Sequence, residues 1–130
     1  MSERDIAVVR SAYEQWNETG LSALERWAAE SIELEDAPQL PDAGSWRGRA
    51  AVLARLAEVA ATIGGTSVEI TDVATAGEDV LVSMVWHEDD SAQSPALGDV
   101  FHLVHVAGGR IDRVRVFLSR DAALAAAAAG

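Results

Sequence analysis

The spacing of apolar positions divides the chain into a helical first half and a β second half. Ile6, Val9, Tyr13 and Trp16 fall at i, i+3, i+7 and i+10, which makes one face of residues 3 to 17 apolar and predicts a core-facing helix. Gly20 ends that pattern, and Ser22 with Glu25 three residues on reads as a capping box for a short helix carrying Leu24 and Trp27. At Ile32 the period changes to two. Ile32 and Leu34 face one way and Glu33 and Glu35 the other, the alternation of a half-buried strand, and Asp36 falls next on the apolar side. Pro38 and Pro41 cannot donate to a ladder, so residues 37 to 45 are expected to form a loop. Gly48 then introduces a third helix, with Val52, Leu56, Val59 and Ile63 on one face and the Gly64-Gly65 pair at its end.

Beyond that pair the pattern is β. Runs at 66 to 76, 80 to 90, 97 to 107 and 110 to 119 are rich in β-branched residues. Gly77, a polar stretch containing Pro95, and Gly108-Gly109 separate them, which predicts successive hairpins. Helices first and strands last is the order of an α+β fold in which three N-terminal helices cover one face of an antiparallel sheet, in a single domain spanning 1 to 130. The closing "RDAALAAAAAG", residues 120 to 130, has few apolar anchors and is expected either to extend as a helix or to fray.

Alternation sorts each late strand into two rows. Leu81, Ser83, Val85 and His87 share a face opposite Val80, Val82, Met84 and Trp86; Phe101, Leu103 and His105 lie opposite Val100, His102, Val104 and Val106. The first row of each pair is assigned to the inner face, which places His102 outside. Both rows are largely apolar, yet three helices can cover only one face. The outer face is therefore expected to pair with its copy in a homodimer; the alternative is a monomer whose own tail caps that face.

Composition narrows the function. With 49% hydrophobic residues in 130 the chain is a folded globule large enough to enclose a small pocket. It has no cysteine, which excludes a thiolate nucleophile and cysteine-ligated metal. The net charge of -11 disfavours nucleic acid and anionic membranes. No stretch approaches the roughly 20 apolar residues of a membrane span, so a soluble, cytoplasmic protein is expected. The three histidines show no metal-ligand spacing, and there is neither a glycine-rich phosphate loop nor a GxSxG elbow, so no metal and no cofactor are expected.

Three segments, "VVRSAYEQWNETGLSALERWA", "IELEDAPQLPDAGSWRGRAAV" and "GGRIDRVRVFL", resemble the nuclear transport factor 2-like superfamily, in particular its SnoaL-like polyketide cyclase and ketosteroid isomerase branches. The resemblance covers nearly the whole chain. It implies a cone-shaped half-barrel, a curved antiparallel sheet wrapped around the helices, with a pocket at the open end and a dimer through the outer face. In "LEDAP" it matches Asp36 to the isomerase general base. The isomerase's two oxyanion donors fall at Ala12 and Phe101, the cyclase carboxylate falls at Val116, and Asp112 and Arg115 lie on opposite faces of one strand where an epoxide hydrolase needs them together. None of those three sets of partners is reproduced.

Asp36 is supported independently, because a carboxylate desolvated at a strand end suits proton abstraction, although it could instead cap its own loop. His87, which shares a row with Ser83 and Val85, and Tyr13 are the candidate acids. Trp16, Ser83, Val85, Phe101, Leu103, His105 and Val116 are the candidate substrate-binding residues, and Trp46 follows the proline loop as a lid. The sequence thus points to a cofactor-free acid–base enzyme, an isomerase, aldol-type cyclase or dehydratase, acting next to the carbonyl of a small apolar or aromatic ligand, up to a polycyclic one. A non-catalytic binder of such ligands is the alternative, and an interaction module using the outer face is a third reading.

Overall fold

The computed structural model describes residues 3–20, 23–40, 42–63, 67–87 and 96–129. Ser22 of the expected capping box, Pro41, the Gly64-Gly65 stop and the stretch with Pro95 lie outside the described residues, as does the side chain of Ile63.

Helix α1 (Glu3–Thr19) and the short α2 (Ala23–Trp27) lead into strand β1 (Ala28–Glu35). A second short strand, β2 (Ser45–Arg47), precedes α3 (Arg49–Ile63). Strands β3 (Ser67–Ala76), β4 (Asp79–His87), β5 (Ala96–Ala107) and β6 (Arg110–Phe117) follow, and α4 (Arg120–Ala129) closes the chain. The six strands form one sheet in the order β2-β1-β6-β5-β4-β3. Hairpins join β3 through β6 antiparallel, as the turn signals predicted. One pair is parallel: β1 lies beside β6, with Leu34 opposite Val114. Register shifts at Ile70/Asp72, Trp86/His87 and His105/Val106 each leave an unmatched residue, which bends a strand and lets the sheet curve around the helices.

The apolar face of α1 presents Val9, Ala12, Tyr13 and Trp16 to the interior, and α3 adds Val52 and Leu56. They pack on Val68, Val80, Val82, Met84, Trp86, Val100, Val104, Ile111, Val114 and Val116. The rows of β4 and β5 are therefore reversed relative to the sequence expectation: the row containing His102 and Trp86 faces the helices, and the row containing Ser83 and Leu103 faces outward. Alternation fixes which residues share a face and leaves open which face is inside when both rows are apolar.

The reversal works because the alanine-rich tail is a helix. Ala123 of α4 is buried against Ala76, Leu81 and Leu103, with Phe101 and Phe117 packed at the margin of that cluster. Alanine side chains let helix and sheet approach closely. A Cβ on Gly77, which has a φ of +61°, would stand 2.9 Å from the Ala127 carbonyl oxygen. Part of the outer face is thus covered by the chain's own C-terminus.

Candidate active site

Asp36 sits where the sequence placed it, at the end of β1 on the buried side with Ile32 and Leu34, while Glu35 is exposed. Its backbone N–H donates to the Gly44 carbonyl at 3.0 Å, which closes the proline loop and turns the chain into β2. The carboxylate is not bare. Arg55 of α3 donates to Oδ2 through Nε at 2.9 Å, and its Nη2 forms an ion pair with the same oxygen at 2.8 Å. Both side chains are buried, and the hydrogen bond to Asp36, outweighing the opposing effect of burial, keeps the guanidinium charged. Arg55 also bonds Glu58 through Nη1 at 2.8 Å and lies 4.5 Å above the Trp46 ring. Both Arg55 nitrogens approach one carboxylate oxygen; Oδ1 has no partner among the described residues.

Tyr13, on the inward face of α1, lies 2.7 Å from Nδ1 of His102. Both residues are buried, and burial pushes the His102 imidazole down to about 4 and the Tyr13 hydroxyl well above the phenol range. At neutral pH the pair is therefore an uncharged imidazole and an intact hydroxyl. The contact admits two arrangements: the hydroxyl donates to Nδ1 when the imidazole proton is on Nε2, and accepts from it when the proton is on Nδ1. Nε2 of His102 has no partner among the described residues, so in the first arrangement its N–H is left for a ligand. Trp16 stacks on the imidazole at 6.5 Å and 26°, and Trp86 meets Trp16 edge to face at 5.7 Å.

Two cavities meet at His102 and Leu56. The inner one is apolar and is lined by Tyr13, Trp16, Ile32, Val52 and Val114, among others. The outer one is lined by Asp36, Leu40, Leu56, Val59, Trp86, Val100, His102, Val116 and Leu118. In this conformation each has room for little more than a water molecule or two, so a ligand must displace side chains. The outer cavity is thus lined by a carboxylate, a neutral imidazole and an indole in an otherwise aliphatic wall. The buried Nε1 of Trp86 has no hydrogen-bond partner.

Of the residues singled out in the sequence, Tyr13 and Trp16 line the inner cavity, and Asp36 and Val116 line the outer one. The others do not. His87 sits on the outward row of β4, its Nε2 3.1 Å from Glu69 of β3. Ser83 is buried on the same row with its hydroxyl unpartnered, and Val85 is half-buried there. Phe101 and Leu103 pack with α4, and Nδ1 of His105 lies 2.6 Å from Asp112. Trp46, expected as a lid, is on strand β2 opposite Leu34, with Arg55 over its ring, and lines neither interior cavity. Sequence reasoning missed His102, Arg55 and Trp86. One signal for His102 was present: it is the polar member of a row otherwise made of valines, and such a row is the better candidate for burial.

Among the described residues no group of three or more histidines, cysteines or carboxylates could hold a metal ion, and no helix is long and apolar enough to cross a membrane.

No curated protein matches the sequence significantly. Solved structures do match in fold. TerC, co-crystallised with polyporic acid, superposes with a TM-score of 0.71 at 15% identity, covering 97% of this chain and 99% of that one. An NTF2-like protein of unknown function from Mesorhizobium loti gives 0.69 at 19% identity, covering 91% and 93%. A Kribbella flavida protein provisionally named a ketosteroid isomerase gives 0.69 at 21%, covering 92% and 80%. At these identities the likeness establishes the fold alone. In sequence, residues 9–114 match the SnoaL-like domain, a span that runs from α1 to β6 and includes Tyr13, Asp36, Arg55, Trp86 and His102. The chain therefore belongs to the SnoaL-like domain family, of the nuclear transport factor 2-like fold.

Proposed function

We propose that the chain is a cofactor-free proton-transfer enzyme acting next to the carbonyl of a small, largely apolar molecule. The observation that carries the reading is that Asp36 and His102 line one cavity whose remaining walls are mostly aliphatic. In the proposed step Oδ1 of Asp36 takes the proton from the carbon beside the carbonyl, and the electron pair moves onto the carbonyl oxygen. The Nε2–H of His102 stabilises that oxygen as charge develops. A neutral donor held in an apolar wall is worth more to an enolate than the same donor in water, because no solvent competes and nothing must reorganise. Tyr13 is a positioning residue in this reading: its hydroxyl, 2.7 Å from Nδ1, donates there and holds the imidazole proton on Nε2. The acid role expected of His87 passes to His102 in this reading. Reaction classes that fit are isomerisation, aldol-type cyclisation and dehydration.

Exchange of the C1 protons of 2-tetralone in D2O, followed by proton NMR, tests the step without a known substrate. The chain should accelerate exchange over buffer, and Asp36→Asn should lower that acceleration by about 100-fold or more, the usual share of a general base. Exchange that is equal in both proteins would remove Asp36 from the mechanism.

One observation favours a second reading, a non-catalytic binder. Arg55 holds Asp36 in a buried ion pair, as a carboxylate serving only to lock the loop onto α3 would be held. A wild-type chain that binds 2-tetralone and gives no exchange would favour it. The expected homodimer is retained in narrower form: a second copy would seat on the part of the outer face that α4 leaves, around Val85 and the rims of Phe101 and Phe117. Light scattering measures the mass that tests it.

A further inference from the structure

Among the buried polar groups that the mechanism above leaves without work, the Trp86 indole lines the proposed cavity. Trp86 is 4% exposed, and its indole Nε1 has no hydrogen-bond partner among the described residues. The contrast within the chain is informative. Trp27, only half-buried, donates its Nε1–H to Gln15 Oε1 at 3.0 Å. A buried N–H left unpaired forfeits the hydrogen bond it made to water in the unfolded chain, so a fold tolerates one chiefly where something else supplies the acceptor. Trp86 lines the same cavity as Asp36 and His102.

The three groups form a chemical inventory. Among the described residues the Trp86 N–H stands without an acceptor, and so does the His102 Nε2–H in the tautomer of the proposed function. One carboxylate oxygen, on Asp36, stands without a donor. Among the described residues the other lining side chains of that cavity are Leu40, Leu56, Val59, Val100, Val116 and Leu118. Two donors in an aliphatic wall match an uncharged ligand with one oxygen that accepts two hydrogen bonds, as the two lone pairs of a ketone do, and the Asp36 oxygen is left to the proton beside that carbonyl. A ligand carboxylate fits worse, since it would be buried beside the Asp36 carboxylate with Arg55 already engaged.

We infer that the Trp86 indole N–H is a second anchor for the ligand's carbonyl oxygen, and that the site selects neutral ketones over the corresponding hydrocarbons through it. The inference rests on the cavity reading of the proposed function and says nothing about turnover, so its test reads binding.

The test compares 2-tetralone with tetralin, which differs by the carbonyl, against the wild-type chain and Trp86→Phe. Dissociation constants come from protein-observed NMR titration. The substitution keeps an aromatic wall and removes the N–H. The expected result is a five- to tenfold loss of 2-tetralone affinity, with tetralin affinity changed less than about twofold. In the wild-type chain, 2-tetralone and not tetralin should also shift the Trp86 indole N–H resonance downfield. Should Trp86→Phe fail to fold, Phe substitutions at Trp16, Trp27 and Trp46 assign the fourth resonance by elimination, and the wild-type shift alone decides. Equal loss of both compounds overturns the inference, because Trp86 would then contribute only ring packing. So does an unmoved indole resonance at saturating ketone, which would leave the N–H to the face of the Trp16 ring that Trp86 meets edge on. Binding of neither compound overturns it together with the cavity reading, whereas binding without proton exchange removes the catalytic proposal and leaves this one standing.

Discussion

The buried His102 makes a quantitative claim about stability against pH. Its imidazole titrates near 4 in the folded chain against 6.5 as the ordinary value, because burial disfavours the charged form. The sign follows from proton uptake. Between those two values the unfolded chain binds a proton that the folded chain refuses, so stability falls as the pH is lowered through about 6.5 and levels off near 4. The full difference is about 2.5 pH units at about 1.4 kcal/mol each, or about 3.5 kcal/mol, of which about 2 kcal/mol is lost between pH 7 and pH 5. Set against a domain stability of about 5–15 kcal/mol, that is a large share for one side chain. The assay is urea unfolding followed by tryptophan fluorescence at pH 7, 6 and 5, on the wild-type chain and on His102→Gln. Glutamine still offers an oxygen to the Tyr13 hydroxyl and does not titrate. His87, His105 and the carboxylates are common to both proteins, so their contributions cancel in the comparison. The wild-type chain should lose about 2 kcal/mol more than the variant over that range. Parallel losses would mean that His102 is accessible to protons in the folded state, and the neutral donor assigned to it would fall with that result.

Other perturbations separate the remaining interactions. Arg55→Met leaves the Asp36 carboxylate buried without its counter-charge and should cost about 3–5 kcal/mol; adding Asp36→Asn should restore much of that loss in a double-mutant cycle. Tyr13→Phe should cost about 1–3 kcal/mol by orphaning Nδ1, and should slow 2-tetralone exchange more than it weakens 2-tetralone binding, since the imidazole loses its fixed tautomer. Gly77→Ala should lower stability by more than about 1 kcal/mol, because the residue has positive φ and its new Cβ meets Ala127. Measured by thermal melts, the penalty should shrink in a chain ended after Ser119. The same truncation uncovers Leu81 and Leu103 and should raise either dye binding or self-association.

The sequence by itself determined the element order, the α+β class and the place of Asp36. Helical spacing at Val9, Tyr13 and Trp16, a period of two from Ile32, and glycines between the β runs are local signals, and the physics behind them is local: an amphipathic face must find a core, and a chain that must turn sharply needs glycine. Asp36 was legible because its row is unambiguous, with Glu33 and Glu35 opposite Ile32 and Leu34. Three things were left for the tertiary structure to decide. The first is which face of β4 and β5 is inside. Both rows are apolar there, so the pattern is equally satisfied by two opposite arrangements, and the choice falls to packing volume: Trp86, Met84 and His102 fill the space under α1, while Leu81 and Leu103 suit a helix of alanines. The second is the strand β2 and the parallel pairing of β1 with β6, which depend on contacts across most of the chain's length. The third is the partner of each buried polar group. Arg55 reads in sequence as one more surface charge on a helix, and it becomes the counter-ion of Asp36 only because α3 crosses the end of β1. Tyr13 and His102, 89 residues apart, meet for the same reason. Periodicity reports how a segment divides its own residues between two sides, and a site is made by which sides of distant segments come to face each other.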